Sequence, residues 1–169
     1  MISPGWGRAH RTLGALALAA ALSPPALAQE PAFVRQLSLP VADDLIGYPR
    51  GVVADGHTGE VFVCDTRRGR ILIFDTEGIF LHEIPGGDVF SAPRDLAVDP
   101  EGYLVVAANH QRRSALIELD FDGLFLGEIR LSGLPEDAVE PALVSVALSS
   151  DGARIYALDA ANLLSLIHI

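Results

Sequence analysis

Pro49-Arg50-Gly51-Val52-Val53-Ala54-Asp55 returns 44 residues later as Pro93-Arg94-Asp95-Leu96-Ala97-Val98-Asp99. Two more runs follow at nearly the same interval. Ile71-Leu72-Ile73-Phe74-Asp75 reappears as Leu116-Ile117-Glu118-Leu119-Asp120, and Gly78-Ile79-Phe80-Leu81 as Gly123-Leu124-Phe125-Leu126. A third copy opens with Ser145-Val146-Ala147-Leu148, carries Asp151-Gly152, and continues through Arg154-Ile155-Tyr156-Ala157-Leu158-Asp159. A repeat of this length is one supersecondary unit that buries its apolar surface only against a neighbouring copy.

Each copy holds short runs rich in Val, Ile and Phe, which in the first fall at roughly 51–54, 60–64, 70–74 and 79–84. Asp75-Thr76-Glu77-Gly78, Asp99-Pro100-Glu101-Gly102 and Asp120-Phe121-Asp122-Gly123 share one turn form, with Ser149-Ser150-Asp151-Gly152 as a variant. The Asp side chain caps such a turn, Pro100 suits the fixed φ of its second position, and the final Gly takes positive φ. Four antiparallel strands in ~40–45 residues is the interval of a propeller blade. The expected fold is therefore all-β: an incomplete β-propeller with about two complete blades plus partial ones, preceded by a signal-peptide helix. Blade 1 is expected over 49–90, blade 2 over 91–135 and a partial blade 3 over 141–163, after a lead-in at 29–48.

Pro49-Arg50-Gly51-Val52-Val53-Ala54-Asp55, Val61-Phe62-Val63-Cys64-Asp65-Thr66 and Gly69-Arg70-Ile71-Leu72-Ile73-Phe74-Asp75 together resemble the NHL repeat. The resemblance covers about 49–159. It weakens in the second copy, where Ala108 stands at the position of Asp65 and Gln111-Arg112-Arg113 replaces the turn. It implies a propeller of commonly six blades, used as a binding surface or, in some exported relatives, as an enzyme.

The first 28 residues read differently. Arg8 and Arg11 give a positive region, Thr12 to Leu22 is an unbroken small and apolar stretch, and Ala26-Leu27-Ala28 precedes Gln29-Glu30 as a cleavage site. The apolar stretch is about 11 residues, against the ~20 of a spanning helix. The chain is expected to be exported, periplasmic or extracellular, with cleavage after Ala28 and no membrane span afterwards. Loss of Arg8 and Arg11 takes the formal charge from −10 to −12, and the chain has no lysine. Such a balance repels nucleic acid and anionic membrane surfaces. Cys64 is the single cysteine, so no intrachain disulfide forms, and its apolar neighbours Phe62 and Val63 suggest a buried thiol.

Phe33-Val34-Arg35-Gln36-Leu37 precedes the first copy as Phe80-Leu81-His82-Glu83-Ile84 precedes the second. It reads as an orphan outer strand whose inner partners belong to another part of a ring. Leu164-Ser165-Leu166-Ile167-His168-Ile169 is the translation of a transposon-end sequencing adapter (CTG TCT CTT ATA CAC ATC), so read-through is the expectation for 164–169; a native apolar strand is the alternative. Blade flanks left uncovered are expected to favour self-association.

If the strands of a blade are lettered a to d from the axis outward, the a–b and c–d turns share one face and the b–c and d–a connections the other. The first face carries Asp55, Glu60, Asp75, Glu77, Asp99, Glu101, Asp120, Asp122 and Asp151; a cation-binding surface is one reading, and the needs of tight turns are the favoured one. The second carries Arg50, Arg67, Arg68, Arg70, Arg94, Arg112 and Arg113 among acids. Arg50 and Arg94 recur at the start of the innermost strand, where repeated guanidinium groups could hold a carboxylate or phosphate. The competing expectation is that each pairs with a nearby acid, Asp65 being the partner foreseen for Arg50. Asp65 is also expected to brace its blade through backbone N–H groups. The ligand-binding candidates are Arg50, Arg94, Asp65, Asn109 and His110. No catalytic residue, metal ligand or cofactor is indicated, since His110 has no partner at ligand spacing.

The leading functional reading is an exported binding module that presents one face of the ring to a protein, peptide or glycan. The alternative is half of a six-bladed propeller enzyme of lyase or lactonase type, possibly metal-dependent, with its site on the central channel. Such relatives place Asn, His or acidic ligands around the channel, whereas the inner strands here begin with Arg50, Arg94 and Ser145. The balance is against catalysis.

Overall fold

The computed structural model describes residues 36–41 and 44–168. The signal-peptide helix expected over 1–28, and Phe33 to Arg35 of the expected outer strand, lie outside the described residues. Gln36 and Leu37, the rest of that strand, carry no strand assignment. Among the described residues every regular element is a strand, and no helix is long and apolar enough to cross a membrane.

The strands form three antiparallel sheets in which sequence order is also spatial order. The first holds β1 (Pro49–Ala54), β2 (Val61–Asp65), β3 (Arg70–Phe74) and β4 (Phe80–Pro85). The second holds β5 (Ser91–Val98), β6 (Leu104–His110), β7 (Arg113–Leu119) and β8 (Phe125–Ile129). The third has β9 (Leu143–Leu148), β10 (Ile155–Asp159) and β11 (Leu164–His168). These meanders of adjacent hairpins are consistent with consecutive propeller blades. The stretch expected to be adapter read-through pairs with β10 from Leu164↔Asp159 to His168↔Ile155.

In the first two sheets the middle strands are buried on both faces, and the period of two sorts each into two cores. Phe62, Cys64, Ile71 and Ile73 face Leu96, Leu104, Val106, Ala108, Ala115, Ile117 and Leu119 between the first two sheets. Ala97, Val105, Ala107 and Leu116, on the other side of the second sheet, meet Leu143, Val146 and Ala157 of the third. On the remaining side of the first sheet, Val63, Leu72 and Phe74 are covered by Leu37, Leu39 and Ile46 of the lead-in. The flank expected to be bare is thus partly capped by the chain itself.

The turns follow their local chemistry. Asp75, Asp99 and Asp120 each accept two turn N–H groups through Oδ1, those of Glu77 and Ile79, Glu101 and Tyr103, and Asp122 and Leu124, at 2.7–3.0 Å. The closing Gly78, Gly102 and Gly123 all have positive φ. Between the second and third strands the sheets differ. The first and third use four-residue loops closed by Asp65↔Arg70 and Asp159↔Leu164. The second runs to His110↔Arg113, leaving Gln111-Arg112 as a two-residue turn with φ of 49° and 67°. That pair of positive values is a type I′ hairpin, tighter than the loop it replaces.

Candidate functional site

The innermost strands β1, β5 and β9 lie side by side. One position in them reads Gly51, Asp95 and Ser145 in successive copies. A Cβ on Gly51 would stand 2.8 Å from Asp95 Cα, so only glycine lets β5 approach. Asp95 Oδ2 then accepts from Ser145 Oγ at 2.6 Å and from the Val146 N–H at 3.0 Å. Asp95 therefore latches the second sheet to the third. Sequence reasoning overlooked it, although the sequence of residues at this repeat position was visible.

Arg50 and Arg94 open β1 and β5. The Arg50 guanidinium is exposed and lies over the Tyr48 ring, 5.9 Å from its centroid, a cation–π arrangement. Arg94 is half-buried. Its Nη2 donates to Asn109 Oδ1 at 3.0 Å, while Nη1 is buried with no hydrogen-bond partner. Burial first, and then repulsion by Arg50, lower the Arg94 pKa below the usual arginine value. Among the described residues neither arginine makes an ion pair.

The pairing of Arg50 with Asp65 is not formed. Asp65 stands opposite Arg70 in the β2–β3 register, and Arg70 Nε reaches it at 3.3 Å. The fully buried Asp65 carboxylate also accepts the N–H groups of Gly47 and Tyr48 at 3.0 Å. Burial raises its pKa, but these N–H groups and Arg70 outweigh that and hold it below the ordinary aspartate value. Arg70 completes its shell with Asp44, at 2.8 and 2.9 Å, and Glu83 at 2.7 Å. Arg68 joins Asp44 at 2.9 Å. Arg70 and Asp65 thus tie the first sheet to the lead-in.

Asn109 and His110 are neighbours on β6, so their side chains fall on opposite faces. Asn109 turns to Arg94. His110 is buried, its Nδ1 donating to the Val89 carbonyl at 2.5 Å and its ring stacked on Phe125 with centroids 5.2 Å apart. The structure thus brings Arg50, Arg94 and Asn109 to one corner and places Asp65 and His110 elsewhere. Among the described residues no group of three or more His, Cys, Asp or Glu is arranged to hold a metal ion.

The aspartates that open the turns of the opposite face are occupied by those turns, Asp55 included, which accepts from the His57 N–H at 2.9 Å and Thr58 Oγ1 at 2.7 Å. What the corner can offer is cationic and amide donors without an acid to satisfy them. No curated protein sequence matches the chain. Residues 47–74, which hold the Gly47–Asp65–Arg70 brace and Arg50, match the family model of the NHL repeat, and the chain accordingly carries an NHL repeat.

Proposed function

We propose that this chain belongs to an exported NHL-type β-propeller, commonly of six blades, that acts as an interaction module. It presents the rim of b–c loops and inner-strand starts to a protein, peptide or glycan. Export rests on the charged, apolar and small-residue order of residues 8–28. The observation that carries the binding face is the uncommitted charge of Arg50 and Arg94, when Arg70 and Arg113 are each tied to acids and the turn-opening aspartates of the opposite face are spent on their own turns.

The full chain, immobilised and screened against peptide and glycan arrays, tests this. Arg50→Glu with Arg94→Glu should lower binding at least tenfold, while Glu101→Lys on the opposite face leaves it unchanged. Binding that survives the double change but is lost with Glu101→Lys would overturn the assignment of the face.

A further inference from the structure

Resting on that reading of the rim, we infer that the corner of Arg94, Asn109 and Arg50 is a carboxylate-binding site, and that the occupant is a carboxylate of a peptide or protein partner. Arg94 is fixed by the amide it grips: Nη2 is given to Asn109 Oδ1 at 3.0 Å. Its Nη1 is buried and unpartnered. A buried donor without an acceptor is costly, and a charged one more so. The corner holds the Asn109 amide beside it and Arg50, which is close enough to repel Arg94. A negatively charged guest relieves the repulsion between the two guanidinium groups, and a turn of the Arg94 side chain that exposes the buried Nη1 gives that donor an acceptor as well.

The acids nearby do not fill this place. Asp65 is spent on Gly47, Tyr48 and Arg70. Asp95 is spent on Ser145, Val146 and the Leu96 N–H. Asp44 is spent on Arg68 and Arg70. The formal charge of −10 on the whole chain opposes polyanions, and a doubly charged phosphate more than a carboxylate. Tyr48, under the Arg50 guanidinium, and Val52, two residues along the same strand, stand exposed. Apolar surface beside a cationic corner suits the side chains of a peptide better than the hydroxyls of a sugar.

The test uses the full chain with isotope-labelled arginine, titrated by NMR with four probes: N-acetyl-dialanine, its C-terminal amide, glucuronate and inorganic phosphate. The expected result is saturable perturbation of the Arg94 and Arg50 side-chain signals by N-acetyl-dialanine and none by the amide. Arg94→Gln should weaken binding at least tenfold, as loss of a charge-assisted contact does. Arg94→Lys should not restore it, because the fork and not the charge alone is required. Arg50→Gln, at an exposed position, serves where Arg94→Gln does not fold, and should also weaken binding. No saturable shift, equal response to acid and amide, or tighter binding of phosphate or glucuronate overturns the proposal. If it fails while the double glutamate change still abolishes array binding, the rim stands as the binding face and only its chemistry is wrong.

Discussion

The Asp65 carboxylate accepts the backbone N–H of Tyr48 at 3.0 Å, and in the third sheet Asp159 accepts that of Ala142 at 2.9 Å. Both donors stand one residue ahead of an innermost strand, so the second strand of a blade fixes where its first strand begins. In the middle copy Ala108 occupies the acid's place. There Ala92, the second residue of β5, has a φ of 45°, a left-handed conformation that costs an L-residue about 1–2 kcal/mol.

Asp65→Asn should therefore destabilise the chain by about 2–3 kcal/mol, less than a sole buried pair because Arg70 keeps Asp44 and Glu83. The pH dependence follows from the sign of the shift. The Asp65 pKa is depressed below 3.8 in the folded chain, and that of Asp159 likewise. Their contribution is complete above about 3.8 and is lost as pH falls through the lower folded value. Urea unfolding from pH 6 down to pH 2 should show stability dropping at the acid end, with a shallower drop in Asp65→Asn. An identical acid profile in the variant would show that Asp65 is not the linked group.

Ala92→Gly should do the opposite. Glycine takes positive φ without steric cost, while its freer unfolded chain gives back part of the gain. A net stabilisation of about 0.5 kcal/mol is expected, read as a higher urea midpoint at unchanged slope. A lower midpoint would mean that Ala92 is not strained.

Gly51→Ala tests the closeness of the inner strands. The new methyl would stand 2.8 Å from Asp95 Cα, a backbone atom that cannot rotate away. A cost of about 1–3 kcal/mol is expected from this overpacking. Gly127→Ala on β8 is the control, since nothing lies within 4 Å of its added Cβ. Equal melting temperatures for the two variants would refute the close approach of β1 and β5.

Ser145→Ala removes one of the two donors to Asp95 Oδ2, the 2.6 Å hydroxyl contact, and leaves the Val146 N–H at 3.0 Å. A loss of about 1.5–3 kcal/mol is expected, the range for a hydrogen bond to a charged group. Because the latch joins separate sheets, hydrogen exchange should quicken at 143–148 more than in β2 and β3. Uniform quickening across the chain would mean that the third sheet does not open separately.

The strand pattern was legible because the chemistry that makes it is local. Apolar runs such as Ile71-Leu72-Ile73-Phe74 and turns such as Asp99-Pro100-Glu101-Gly102 carry their own instructions, and the observed strand bounds fall within a few residues of those expected. Arg50 and Arg94 were legible as a pair because a repeat fixes equivalent positions. Partner choice was not legible. Asp65 faces Arg70 through a ladder register, and His110 turns away from Asn109 because one step along a strand reverses the side. Asp95 was passed over because its role appears only when three inner strands are side by side. The two-residue turn at Gln111-Arg112 was hidden because neither residue favours positive φ on its own, and the β6–β7 ladder imposes it.

Cys64 reports on the core between the first two sheets. Its side chain is fully buried among Phe62, Ile71, Ile73 and their partners on β5 to β7. Burial first, then the Asp95 charge, push its thiol pKa up to about 12, so at pH 8 almost none is thiolate, the reactive form. An aromatic disulfide reagent should therefore find no accessible thiol in the native chain at pH 8 and one per chain in concentrated denaturant. Between those limits the labelling rate should follow opening of the sheet interface, and so rise in Gly51→Ala and Ser145→Ala in proportion to their loss of stability. Rapid labelling of the native chain at pH 8 would mean that the first two sheets do not close on one another.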